Sequence, residues 1–196
     1  MEQIRAFIAI ELPDEVKLAL GRLEARLKAG KQSGVKWVDP NSIHLTLQFL
    51  GDIPADSIGE ITAAIEEASR AVSPFHLEVK DLGVFPNLKR VQVVWVGISG
   101  EIDKLGQLQK GIESNLEQLG FAPETRPFTP HLTLGRVQRQ VSSEEQQRLG
   151  QLIAGTRFEA GAIEVTAINL MRSELTRAGA IHSLINLVKL PTLANG

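Results

Sequence analysis

The tetrapeptide His-Leu-Thr-Leu occurs twice, as His44–Leu47 and as His131–Leu134, with the two histidines 87 residues apart. The pair uses two of only four histidines in the chain. Each copy sits in a short, apolar, alternating stretch that reads as a β-strand. In a strand successive side chains point to opposite faces, so His44, Thr46 and Gln48 share one face and Ile43, Leu45, Leu47 and Phe49 the other. His131 and Thr133 likewise oppose Leu132 and Leu134. The apolar face must meet a core, which leaves the His/Thr face free to line a cleft. Along such a strand the His and Thr Cα atoms are about 7 Å apart, so both side chains can reach one small group.

Two such strands facing each other across a twofold cleft aim two imidazoles and two hydroxyls at one point. Near neutral pH two histidines can act as one base and one acid. That pairing suits in-line displacement at phosphorus. One histidine takes a proton from the entering water while the other gives one to the departing oxygen, from opposite sides of the phosphorus. The threonine hydroxyls can donate to the non-bridging oxygens as charge develops. No metal is needed for this chemistry. A zinc site is a weaker reading, because the two histidines come with no cysteine, no His-x-His and no third ligand at a usual spacing. A single His-x-Thr more often packs or faces solvent, and it is the repetition in register that raises the pair above that.

The elements that must position these residues repeat as well. Residues 4–12 read as a buried strand. Pro13, Asp14 and Glu15 open a helix with Val16, Leu20, Leu23 and Leu27 on one stripe. "VKWV" and the turn "DPNS" lead to the first motif strand, at about 43–50. After the turn "GDIPADS" comes a helix marked by Ile58, Ile61, Ile65 and Ala68, ending near 72, and then the strand "FHLEVKDLGVF". The pattern restarts with a strand at 91–98 and a helix striped by Ile102, Leu105, Leu108, Ile112, Leu116 and Leu119. The second motif strand, a helix from "VSSEEQQRL" and further strands follow. A shift of 87 carries Ile4, Asp14, His44 and Ser57 onto Val91, Glu101, His131 and Glu144. That period is too long for a solenoid and suits two similar α+β lobes. "FPNLKR" at 85–90 is the expected boundary, giving sequence halves 1–87 and 88–196 of one bilobal domain.

Bulk properties narrow the partners. With 43% hydrophobic and 22% charged residues the chain can bury a full core. A net charge of −2 argues against a long nucleic-acid duplex, which needs a broad basic face, but leaves room for a small basic pocket. The absence of cysteine removes disulfides and thiolate chemistry. The opening residues lack the basic and long apolar regions of a signal peptide, and no apolar run approaches a membrane span. A cytoplasmic monomer with no membrane contact is the expectation.

The motifs resemble those of the 2H phosphoesterases, named for two His-x-Thr/Ser motifs. Within them the chain is similar to the RNA 2′,3′-cyclic phosphodiesterases, also called 2′-5′ RNA ligases. "RAFIAIELP", "HLTLQFLG", "LGVFPN" with "RVQVVWVGI", and "RPFTPHLTLGR" carry the resemblance, in order, over nearly the whole chain. It implies two pseudo-symmetric lobes, each an antiparallel sheet with helices on its outer face, around a central cleft. It implies metal-independent, cofactor-free opening of a 2′,3′-cyclic phosphate, on RNA ends or nucleotides, to a 2′-phosphate. His44 then aligns with the general acid, His131 with the base, and Thr46 and Thr133 with the phosphate-binding hydroxyls. Arg126 is a further candidate phosphate contact, balanced against an ordinary loop charge. The rival functions are 2′-5′ ligation by the same groups in reverse and a non-catalytic binder of phosphorylated nucleotides or RNA ends. One departure stands out: the family often carries Tyr near the end of the chain, where this sequence has His182. His76 is expected to be structural or solvated, and Phe7, Phe49, Trp37 and Trp95 to be core residues.

Overall fold

Apolar residues at alternate positions of the first strand, Ile4, Ala6, Ile8 and Ile10, are buried on one side of a sheet, and helices lie over that side. The structure is a computed structural model and describes residues 1–192. Strands β1 (Gln3–Ile10), β2 (Val35–Trp37), β3 (Leu45–Pro54), β4 (Phe75–Asn87), β5 (Arg90–Gly100), β6 (His131–Val137), β7 (Glu159–Val165), β8 (Ala167–Thr176) and β9 (Gly179–Lys189) alternate with four helices. The helices are α1 (Asp14–Ala29), α2 (Ile58–Ser69), α3 (Ile102–Glu117) and α4 (Ser143–Ala154). The strands form two antiparallel sheets, in the orders β3-β1-β8-β9 and β2-β6-β5-β4-β7. The fold is therefore the expected two-lobed α+β. Among the described residues no helix is long and apolar enough to cross a membrane.

Each helix forms for a legible reason. In α1, Val16, Leu20, Leu23 and Leu27 make one buried stripe, with Asp14 and Glu15 at the positive end of the dipole. Each buried leucine contributes about 1.5–3 kcal/mol, so Leu20→Ala costs about 2–5 kcal/mol. Helix α4 starts on a capping box, with the Ser142 hydroxyl accepting from the Glu145 N–H and the Glu145 carboxylate accepting from the Ser142 N–H. That exchange, with added hydrogen bonds from the Ser142 and Ser33 hydroxyls, holds the Glu145 carboxyl below the usual range.

The lobes do not follow the halves of the sequence. The motif strand and first strand of each half lie side by side, β3 with β1 and β6 with β5. Beyond them the halves exchange strands: β4 joins the second sheet, and β8 and β9 join the first. Helices α2 and α3 pack together and onto strands of the first sheet, while α1 and α4 meet strands of the second. The expected linker at 85–90 is instead the tight β4–β5 hairpin, where the Asn87 side chain accepts from the Lys89 and Arg90 N–H groups. Its proline and asparagine serve a turn inside one sheet. A single apolar core runs through both sheets, so the two lobes share one interior.

Strand β3 also departs from simple alternation. It continues through Gly51–Pro54, residues whose composition suggests a turn. Its pairing with β1 slips twice, skipping Leu47 and Leu50. Bulges add a residue and re-aim the side chains beyond them. Gln48 therefore turns inward, with its Oε1 buried, and Phe49 turns outward and is 75% exposed. The expectation that Phe49 is a core residue is corrected by this slip.

Candidate active site

His44 stands immediately before β3, at the exit of a short 3₁₀ turn, Pro40–Ser42. Asp39 caps that turn by accepting from the Asn41 N–H, which fixes the direction of the Ser42 carbonyl. The His44 Nδ1 lies 2.9 Å from that carbonyl. His131 opens β6, and its Nδ1 lies 2.7 Å from the Thr129 carbonyl. Both imidazoles are thus clamped by the carbonyl two residues upstream. A carbonyl only accepts, so Nδ1 carries the proton in each ring and Nε2 is the nitrogen left for chemistry.

Thr46 and Thr133 occupy equivalent places one step along each strand, both half-buried. Thr46 pairs with Ala9 of β1, and Thr133 with Trp95 of β5. His131 pairs with Gly97, where a side chain would run into the Lys80 carbonyl of β4. The two motif strands, β3 and β6, approach each other across the lobes.

Aromatic edges flank both imidazoles. Phe7 meets His44 with ring centroids 5.8 Å apart at 72°, and Phe85 meets His131 at 5.1 Å and 90°. Trp95 lies 6.4 Å from His131 and 5.2 Å from Phe85. Phe7 is buried, but in a small cluster with Ala9 and Met171 apart from the main core. Phe7, Phe49 and Trp95 are therefore neighbours of the site rather than members of the main core, whereas Trp37 packs against that core as expected. Such rings hold an imidazole by edge-to-face contact without competing for its nitrogens.

Two neighbours of His44 have no counterpart at His131 among the described residues. The Glu11 carboxylate lies 3.0 Å from the His44 Nε2 and also pairs with Lys17. The His44 contact is an ion pair only when the ring carries both protons. His182 sits edge-on to His44 at 5.5 Å and to Phe7 at 4.9 Å. Burial, and then the nearby charge of His44, hold His182 below the usual histidine range. Its Nδ1 is buried without a hydrogen-bond partner among the described residues. Sequence reasoning missed Glu11; the available signal was its place two residues beyond Ala9, in phase with Phe7 and Ala9.

Arg126 lies exposed on the loop between α3 and β6, its backbone N–H donating to Glu124. Its guanidinium makes no hydrogen bond or ion pair among the described residues. His76 is exposed and interacts with Glu101, through its backbone N–H at 2.7 Å and its ring at 3.9 Å. Among the described residues no group of three or more His, Asp or Glu is arranged to hold a metal ion.

This duplicated scaffold has relatives. The family described as LigT-like phosphoesterase matches the chain twice, over residues 10–95 and 96–182, one match for each repeat. The RNA 2′,3′-cyclic phosphodiesterase of Methanothermobacter thermautotrophicus is 32% identical, over 96% of this chain and 100% of that protein. That of Aquifex aeolicus is 34% identical, over 94% and 96%. Among solved structures, TT0787 of Thermus thermophilus superposes with a TM-score of 0.78 at 28% identity, covering 97% of this chain and 100% of the other. Escherichia coli LigT complexed with 3′-AMP superposes at 0.76 with 25% identity, over 97% and 100%. The chain belongs to the LigT-like phosphoesterases, the 2H phosphoesterase group.

Proposed function

We propose that the chain opens 2′,3′-cyclic phosphates on RNA ends or nucleotides to 2′-phosphates, with His131 as general base and His44 as general acid. The observation that carries this is the matched Nδ1–H···O=C clamp, which presents an Nε2 from each of the two motif strands. In the step proposed, the His131 Nε2 takes a proton as a water oxygen bonds to phosphorus. The bond from phosphorus to the 3′ oxygen breaks, and that oxygen takes the proton from the His44 Nε2. Thr46 and Thr133 donate to the non-bridging oxygens. Arg126 is proposed as a further phosphate contact.

Glu11 supports the direction of proton transfer. Its ion pair with His44 requires the doubly protonated ring, which is the form a general acid needs. His131 has no carboxylate against its Nε2 among the described residues. The two relatives carrying the name RNA 2′,3′-cyclic phosphodiesterase at 32% and 34% identity support the same substrate class. The test is incubation with 2′,3′-cyclic mononucleotides and cyclic-ended RNA in EDTA, with product analysis. The expected product is the 2′-phosphate. A rate that disappears in EDTA and returns with zinc would overturn the metal-independent mechanism.

A further inference from the structure

One buried ionisable group takes no part in the proposed chemistry, yet stands on the helix that supports it. Glu24 is 2% exposed and lies on the inward side of α1. Its Oε2 is 3.7 Å from the Lys28 Nζ, and its Oε1 is buried without a hydrogen-bond partner among the described residues. A buried carboxylate oxygen without a donor is costly, and a neutral carboxylic acid in the same place is much less so. Burial, against the pull of Lys28 and with the charge of Asp39 adding to it, raises this carboxyl to about 7. Lys28 and Asp39 are the charges that act on it. Strand β7, which packs against α1, turns the uncharged Ile163 and Val165 inward, and the turn Pro40–Ser42 carries no charge.

The same helix supports the first motif. It packs on the 3₁₀ turn Pro40–Ser42, and a side chain at Gly21, one helical turn before Glu24, would stand 3.5 Å from the Pro40 Cγ. Asp39 caps that turn, and the turn aims the Ser42 carbonyl at the His44 Nδ1. A buried carboxyl is thereby joined through one short turn to the tautomer of the proposed acid. Ionising Glu24 adds a second negative charge near Asp39 and leaves an oxygen without a donor. Water supplies that donor only if α1 and the turn part. One repeat later the position is Gly111, packed against Ala68, so the clamp on His131 has no equivalent carboxyl.

We infer that Glu24 is a positioning residue for His44: as the neutral acid it keeps α1 seated on the Pro40–Ser42 turn and the Nδ1–H clamp closed, and as the carboxylate it loosens both. The inference rests on the phosphodiesterase reading above, in which His44 gives its proton to the 3′ oxygen. Acid catalysis then declines on the alkaline side through a residue that touches neither substrate nor His44.

Two measurements test it. Glu24→Gln keeps the size of the side chain and stays neutral at every pH. The ratio of kcat on a 2′,3′-cyclic phosphate, variant over wild type, should be near one at about pH 6 and rise to about three- to tenfold at about pH 8.5, a modest share of what an acid–base group contributes. On a nitrophenyl phosphodiester, which needs no proton from His44, the rise should disappear. An equal rise on both substrates would mean that ionised Glu24 unsettles the whole fold, and would overturn the positioning role. The second measurement needs no turnover: nitrogen NMR of the imidazoles at about pH 9, where both rings are neutral, reads the tautomer of each. His44 should hold the Nδ1–H form less fully in wild type than in Glu24→Gln, and less fully than His131 does in the same wild-type sample. A kcat ratio independent of pH, or a wild-type His44 as fully clamped as His131, would overturn the inference and leave the phosphodiesterase intact. Absence of hydrolysis with every substrate would instead overturn the phosphodiesterase reading, and the NMR would still decide the clamp.

Discussion

His44 and His131 are the same device in two different settings. Each is held through Nδ1 by the carbonyl two residues upstream, each is followed by a threonine on the same face, and each meets an aromatic edge. Around His44, whose side chain is only 4% exposed, stand Glu11 and His182. Around His131 stand Gly97, Phe85 and Trp95. Duplication explains the shared part: one local sequence gives one tautomer twice. The unshared part comes from neighbouring strands, and in the proposed mechanism it is what separates the acid from the base. A symmetric pair of imidazoles alone would have no preferred direction for the proton.

The largest expected effect tests the shared part. His44→Ala and His131→Ala should each lower kcat/KM on a 2′,3′-cyclic phosphate by about 10²–10⁴-fold. A nitrophenyl phosphodiester, whose leaving group needs no proton, should restore much of the rate to His44→Ala and little to His131→Ala. Rescue of His131→Ala alone would reverse the roles. Near-normal activity of either variant on the cyclic phosphate would end the paired mechanism.

The comparison extends to the helices. Glu24 of α1 is 2% exposed, while the position one repeat later in α3 is Gly111, packed close to Ala68. Burial pushes the Glu24 carboxyl up to about 7, against the opposing pull of Lys28, and its Oε1 has no hydrogen-bond partner among the described residues. The folded chain thus holds this proton more tightly than the unfolded chain does. Its contribution is fully present below the ordinary value of 4.5 and is lost as pH rises through about 7. Glu24→Gln should remove that loss and stabilise the protein at pH about 8 by about 1–3 kcal/mol. Chemical denaturation at several pH values measures it, and a variant less stable than wild type at high pH would contradict it.

A smaller effect concerns the element that breaks the symmetry. Glu11→Gln should slow hydrolysis of the cyclic phosphate by about tenfold, a modest share of the range for acid–base catalysis. The same variant should be close to wild type on the nitrophenyl ester, because Glu11 acts through the proton on His44. An equal loss on both substrates would make Glu11 a general structural support and remove the argument for direction.

The smallest effect concerns His182. Because its folded-state affinity for a proton is lowered, its contribution to stability is present above the ordinary value of 6.5 and is lost as pH falls through the lowered value. His182→Phe should keep the edge contact with Phe7 and flatten that acid-side decline. Thermal unfolding on either side of pH 6.5 reads the difference, and an unchanged pH dependence would show that His182 does not titrate against His44.

By itself the sequence determined the candidate histidine pair and the repeat. Both are local: His-x-Thr fixes which side chains share a face, and apolar stripes such as Leu105, Leu108, Ile112 and Leu116 announce their helices. The clamp on each imidazole also reaches only two residues back. What the tertiary structure decided was every feature that depends on another strand. The exchange of β4, β8 and β9 between lobes was hidden because a strand's sequence shows that it is buried, not which neighbour it pairs with. The slips opposite β1 that turn Phe49 outward depend on register, to which a period-two pattern is blind once a bulge intervenes. Glu11 reached His44 through pairings and bulges of the same kind. The residues that repeat were legible along the chain, and those that make the two halves unequal emerged only when the strands were laid side by side.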